Sequence, residues 1–179
     1  MTHARHTGFT LIELMIAIAL VALLAGIALP SYASARAAAQ TLTLRNALLG
    51  ALTESRSAAA FYEHDTILCP SPDGETCSDS FEWQHGFIAA IDLNDNERID
   101  ETDRRLLYRE KVEDVRLITS SGRKRIQFQP NGSNAGSNAT FTFCDERGPT
   151  RATALVMNNR GDLREDRPSA IAIAAACRI

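Results

Sequence analysis

The chain has 179 residues, a formal net charge of -3, 45% apolar residues and only 6% aromatic ones. That length allows one anchor segment and one domain with a core of its own. The slightly acidic balance argues against a uniformly basic nucleic-acid binder but leaves room for a local basic patch.

In chain order, Met1 to Gly8 is polar, with His3, Arg5 and His6. The stretch from Phe9 to Leu29 is apolar, and Glu13 is its one ionisable side chain. As a helix rising ~1.5 Å per residue it spans roughly 30 Å, about the thickness of a bilayer's hydrocarbon core. A cleavable secretory signal is a rival reading, with Ala33-Ser34-Ala35 as a cut site. Glu13 opposes it. An isolated carboxylate in hydrocarbon costs about 2.5–3.5 kcal/mol on insertion scales, which a permanent helix can recover by meeting a partner cation and a discarded signal cannot.

Pro30 is expected to kink or loosen the helix. Helical character then resumes, because residues 31 to 63 are rich in Ala, Leu, Arg and Gln. Leu44, Leu48, Leu52, Ser55, Ala59 and Tyr62 recur at steps of three and four, so this second half is amphipathic. One helix is therefore expected from Phe9 to about Tyr62.

From Thr66 the texture becomes short β-type segments between turns. The run from Cys69 to Ser80 reads as a loop, and strands are expected over 83–92, 106–109, 115–118, 124–129, 139–144, 152–157 and 170–176. Seven short strands with no helix between them predict antiparallel sheets. The fold class expected is α+β: a long N-terminal helix, membrane-spanning in its first half and amphipathic in its second, packed on an antiparallel two-sheet β domain.

Cys69, Cys77, Cys144 and Cys177 all follow the apolar run and suit an oxidising compartment. Of the three possible pairings, Cys69 with Cys77 would close a short Pro- and Gly-containing loop, and Cys144 with Cys177 would staple two late strands. This pairing is the one favoured. A zinc site is not indicated: there is no Cys-x-x-Cys, and past residue 8 only His64 and His85 remain. Neither His has a partner signature and no phosphate loop, Gly-x-Ser-x-Gly or His-Glu-x-x-His is present, so neither an enzyme nor a cofactor is expected. Asp92 to Asp103 partly matches a calcium loop, with oxygen-bearing side chains at positions one, three, five, nine and twelve and Ile99 in the apolar place. Glu97 stands where that loop demands Gly, and an Asx-rich turn explains the stretch as well.

The leader ending in Gly8, followed by Phe9-Thr10-Leu11-Ile12-Glu13-Leu14, resembles the N-terminal signal of type IV pilins and type II secretion pseudopilins. The resemblance implies cleavage between Gly8 and Phe9 by a prepilin peptidase, methylation of Phe9, and a role for Glu13 in assembly. Pairing of the freed Phe9 amine with Glu13 of a neighbouring subunit would relieve both buried charges. It divides the chain into a removed leader (1–8), a membrane and assembly helix (9–29), an amphipathic helix (30–64) and a periplasmic β domain (65–179).

Cys69-Pro70-Ser71, Trp83, Gly86-Phe87-Ile88, Asp92 to Asn96, Ile126-Gln127-Phe128, Pro130-Asn131-Gly132, Thr140 to Asp145 and Ala154 to Asn158 are similar to the GspH/FimT branch. Its members are minor pilins or minor pseudopilins near a filament tip, anchored in the inner membrane, with other pilins as partners. Some bind DNA for transformation through a C-terminal Gly-Arg-x-Arg motif. Here the matching place reads Gly161-Asp162-Leu163-Arg164, so only Arg164 carries over, with Arg160 one step before the Gly. Arg123, Lys124 and Arg125 form a second basic cluster at a hairpin. Phosphate contacts need only such exposed cations and no base reading. The resemblance implies a minor type IV pilin with DNA uptake as a specialisation, or alternatively a GspH-type minor pseudopilin of a type II secretion system.

Overall fold

A computed structural model of the chain describes residues 10–178. The elements are α1 (Leu11–Tyr62), β1 (Thr66–Pro70), β2 (Gly86–Ile91), β3 (Arg104–Glu110), β4 (Val115–Thr119), β5 (Ile126–Phe128), β6 (Ala139–Asp145), a 3-10 turn (Pro149–Arg151), β7 (Thr153–Met157), β8 (Leu163–Asp166) and α2 (Ala170–Ala176). The chain divides into two compact units, one ending at Arg36 and one beginning at Ala37.

In the first unit α1 starts on a capping box. Thr10 N–H donates to Glu13 Oε2 at 2.9 Å, and Glu13 N–H donates back to Thr10 Oγ1 at 3.3 Å. This satisfies donors that the first turn would leave orphaned. The α1 helix is 52 residues long and continues through Pro30.

The second unit is built on the rest of α1. Ala37, Thr41, Leu44, Leu48, Ala51, Leu52, Ser55, Ala58 and Ala59 are buried, a stripe at steps of three and four along one helix face. It meets two antiparallel four-stranded sheets, sheet A in the order β3-β2-β1-β5 and sheet B in the order β4-β6-β7-β8. Leu68, Phe87 and Ala89 from sheet A, and Leu117, Phe141, Phe143 and Leu155 from sheet B, share one core with Leu44, Leu48 and Leu52. Trp83 is fully buried there. Its ring stands edge-on to Phe141 at 5.3 Å, and its indole N–H donates to Thr119 Oγ1 at 3.2 Å. The alternate residues of sheet A, namely Ile67, Cys69, Ile88 and Ala90, form a smaller cluster on its other face with Ile99. Period-two alternation thus gives sheet A two buried faces.

Three expectations change. Cys69 does not lie in a loop but in β1, where Thr66, Ile67 and Leu68 pair with β2 on one side and β5 on the other. Residues 170–176 form a helix rather than a strand. Five of the seven are Ala, and Ser169 caps the helix by accepting from Ala172 N–H at 3.3 Å, so helix propensity decides a short apolar run that periodicity leaves open. An eighth strand, β8, follows the turn at Gly161, held by backbone pairing to β7 with no apolar alternation to announce it. Gly86 opens β2 at φ 118, where an added Cβ would lie 2.6 Å from the Ser71 carbonyl oxygen, so glycine is required there.

The structure joins Cys69 to Cys77 and Cys144 to Cys177. The second links β6 to the C-terminal cap of α2, not two strands. With its cysteines 33 positions apart, its removal as Cys144→Ala/Cys177→Ala should cost about 3–4 kcal/mol in denaturant unfolding. The same change at Cys69 and Cys77, only 8 apart, should cost about 2.5 kcal/mol. Equal losses would contradict the loop-length account.

One carboxylate anchors α1 to sheet B. Thr41 Oγ1 donates to Asp145 Oδ2 at 2.5 Å, and Arg147 donates to the same carboxylate at 2.7 Å. Burial opposes the charge on Asp145, but the bonds from Arg147 and Thr41 outweigh it and hold its pKa below the usual 3.8. A lowered folded pKa adds stability that is present above the unfolded value and is lost as pH falls through the folded one. Unfolding measured from pH 6 to pH 2 should therefore show a stability loss below about pH 4 that Asp145→Asn reduces. At pH 7 the same variant should be destabilised by about 2–3 kcal/mol.

Candidate functional site

The N-terminal features come first. Gly8 and Phe9 lie outside the described residues. Glu13 sits in the first turn of α1 with its carboxylate against Thr10, whose hydroxyl also donates to Oε2 at 3.0 Å. The large apolar side chains from Leu11 to Leu29 are exposed, including Leu11 at 78% and Ile27 at 68%. This helix is long and apolar enough to cross a membrane. Thr10 was legible as part of a Thr-x-x-Glu box before an apolar run, and sequence reasoning passed over it.

The loop between β2 and β3 folds around its own Asx side chains. Asp92 is 1% exposed and accepts from Asn96 N–H at 3.2 Å and Glu97 N–H at 2.8 Å. Asp103 accepts from Leu93 N–H and Asp100 N–H, both at 3.0 Å. Glu97 adopts φ 58, the left-handed conformation for which a calcium loop uses Gly. Thr102, by its hydroxyl and then its N–H, together with Asn96 and Asn94, holds the Asp100 carboxyl well below the usual carboxylate range. Among the described residues no group of three or more His, Cys, Asp or Glu is arranged to hold a metal ion. The loop is built as an Asx-turn network.

The basic residues are placed separately. Arg123 Nε donates to Asn138 O at 2.8 Å and fastens the loop that follows β5. Lys124 lies 3.6 Å from Asp79 and 5.7 Å over the Phe81 ring. Arg125 pairs with Glu97 at 2.7 Å. These three share a cleft with Asp79 and Ser137. Arg164, on β8, pairs with Asp166 at 3.1 Å and lines a different cleft with Ile118, Thr140 and Ile171. Arg160 sits in the β7–β8 turn, where its backbone N–H donates to Asn158 Oδ1. Among the described residues it has no ion pair.

Asp162 is 3.6 Å from Arg56 of α1, and Arg56 also donates to Gly161 O at 3.3 Å. Glu165 meets Arg45 of α1 at 2.8 Å. The turn that would carry a second arginine instead carries acids that face the helix. The two basic clusters expected from the sequence therefore do not form one surface, and Lys124, Arg125 and Arg164 each have a carboxylate beside them.

No curated protein shows significant sequence similarity to the chain. Among solved structures, the type IV minor pilin FimU of Pseudomonas aeruginosa is similar in fold. One crystal form aligns at TM-score 0.55 and 15% identity over 74% of this chain and 90% of that one. A second form gives TM-score 0.53 at 15% identity over 68% and 88%. The minor pseudopilin EpsH of the Vibrio cholerae Type 2 Secretion System aligns at TM-score 0.51 and 11% identity over 73% and 98%. The prokaryotic N-terminal methylation motif matches residues 3–29. The family described as Type II transport protein GspH matches residues 44–161, about two thirds of the chain, and the protein belongs to that family.

Proposed function

We propose that this chain is a minor subunit of a type IV pilin-like filament, a minor pilin incorporated at or near the pilus tip. The observation that supports it best is the methylation motif over residues 3–29 running into a helix whose large apolar side chains are exposed among the described residues of its unit. An apolar surface of that extent needs lipid before assembly and other subunits after it. On this reading the chain is made in the inner membrane, crosses it once, and places its β domain in the periplasm. Prepilin peptidase cuts between Gly8 and Phe9, Phe9 is methylated, and its amine meets Glu13 of a neighbour.

A second reading, a minor pseudopilin of a type II secretion system, is favoured by the family description and by the likeness to EpsH. Deleting the gene separates the two. Loss of surface pili with exoprotein secretion intact supports the pilin. Loss of secretion with pili intact supports the pseudopilin.

Glu13→Val should raise membrane partitioning of the monomer and reduce incorporation into filaments at least about tenfold, as one lost charge pair in an apolar setting implies. Incorporation at the wild-type level, read by immunoblot of sheared filaments, would contradict the pairing.

DNA uptake is the finer claim. Its contacts would be Arg160, Arg164 and the Arg123-Lys124-Arg125 turn, with Asp162 opposing them. Each phosphate contact adds roughly 0.9 to the salt slope on duplex DNA. Asp162→Arg should strengthen duplex binding and steepen that slope, and Arg164→Ala should weaken it. If neither variant changes the titration, or wild type shows no binding at low salt, the chain has no DNA role through these loops.

A further inference from the structure

Sheet A ends in β3, and among the described residues no strand pairs with its outer side. This edge is seven residues long, with Arg104, Arg105, Arg109 and Glu110 exposed. Its charge differs from that of the rest of the domain. Elsewhere the arginines and lysines commonly stand beside carboxylates, as Arg45, Arg116, Lys111 and Arg125 do. Among the described residues no carboxylate lies within ion-pair distance of Arg105 or Arg109, although Arg105 shares a cleft with Glu75, Asp100, Glu101 and Asp103, and Arg104 lies 4.8 Å over the ring of Tyr62.

The register places these cations on both sides of the edge. Arg109 opposes Phe87 and Arg104 opposes Ile91, while Arg105 opposes Ala90, with a shift between Ala89 and Ala90. Phe87 and Ala89 face the main core and Ala90 faces the smaller cluster. Arg104 and Arg109 therefore stand on the core side of the sheet and Arg105 on the other. Beside the start of β3 are Phe61, 78% exposed and edge-on to Tyr62 at 4.9 Å, and Leu93, 45% exposed. Arginine and aromatic side chains around a free strand edge have the composition of a protein-binding hot spot.

We propose that the β3 edge accepts an extended acidic segment of a neighbouring filament subunit, which adds to sheet A as a fifth strand. Main-chain bonds along β3 would supply affinity, and carboxylates on alternate sides of the incoming strand would meet Arg105 on one face and Arg104 and Arg109 on the other. From Arg104 to Arg109 the edge covers about 17 Å, so a segment of roughly six residues suffices. This assignment rests on the reading of the chain as a filament subunit. Duplex DNA is the less favoured polyanion, because it has no peptide backbone to pair with the open side of β3.

The test uses the full chain in detergent micelles, titrated with a peptide of about eight residues repeating Glu-Glu-Val-Val, which in extended form places carboxylates on both faces. The expected result is binding together with slowed hydrogen exchange at β3 amides, no binding of the matching Lys-Val peptide, and at least about tenfold weaker binding by Arg105→Glu/Arg109→Glu. Arg105→Gln/Arg109→Gln, which only removes charge, should lose about half as much in free energy and guards against a misfolded reversal variant. The proposal is overturned if the acidic peptide fails to bind or if the variants bind it equally. Displacement of the peptide by duplex DNA at equal charge concentration also overturns it, as does self-association of the chain that the same substitutions abolish, which assigns the edge to a second copy. Incorporation of wild type into sheared filaments is scored in parallel. With incorporation normal, a failed peptide titration removes only the edge assignment. With incorporation absent, the filament reading falls, and the occupant named here falls with it.

Discussion

The domain depends on one seam, the burial of a single face of α1 against both sheets at once. Leu44, Leu48 and Leu52 are at most 2% exposed and belong to the same cluster as side chains of β1, β2, β4, β6 and β7. Burying each such side chain is favourable by about 1.5–3 kcal/mol. Among the described residues no strand of one sheet pairs with a strand of the other, and the connection between β1 and β2 reaches β4 through Glu82 opposite Ile118 and Trp83 N–H donating to Leu117 O. The sheets hold together because both need the same helix. The polar anchors follow the seam. Thr41 meets Asp145, and Arg45 and Arg56 meet the acids of β8 and its turn.

A helix committed in this way leaves its other surfaces for other molecules. The apolar side chains from Leu11 to Leu29 have no cover within their own unit, a state that is stable only in lipid or against other apolar helices. The open ends of the two sheets raise the same question on a smaller scale. On sheet B the outer strand β8 is tied to α1 by Glu165. On sheet A the outer strand β3 keeps exposed arginines that make no ion pair among the described residues. Charge pairing within the domain thus separates a satisfied edge from an unsatisfied one, although the chain as a whole is slightly acidic.

Much of this was legible in the sequence because the signals were periodic. The helix from residue 11 to Tyr62 follows from an apolar run and then a stripe at steps of three and four, and the strand positions from alternation between turns. What was not legible depended on contacts distant in sequence. β8 is Leu163-Arg164-Glu165-Asp166, which has no strand pattern and exists because β7 offers it an edge. Ala170 to Ala176 is apolar throughout, so periodicity could not separate helix from strand, and the alanine content and the Ser169 cap settled it. Cys69 was read as the start of a loop, but Pro70 can end a strand whose pairing lies on the residues before it. Among candidate site residues, Glu97 beside Arg125 and Asp79 beside Lys124 come from loops distant in sequence that spacing alone does not bring to mind, whereas Asp166 stands two residues from Arg164.

The central claim is that the apolar helix is retained as a working part of a processed filament subunit. Intact-mass and N-terminal peptide mass spectrometry of the protein taken from membranes of cells with an active prepilin peptidase tests it most directly. The account predicts a mature chain beginning at Phe9 with one methyl group on its amine, and the unprocessed chain beginning at Met1 when the peptidase is removed. A mature chain beginning near Ala35, or one retaining Met1 in the presence of the peptidase, would contradict it.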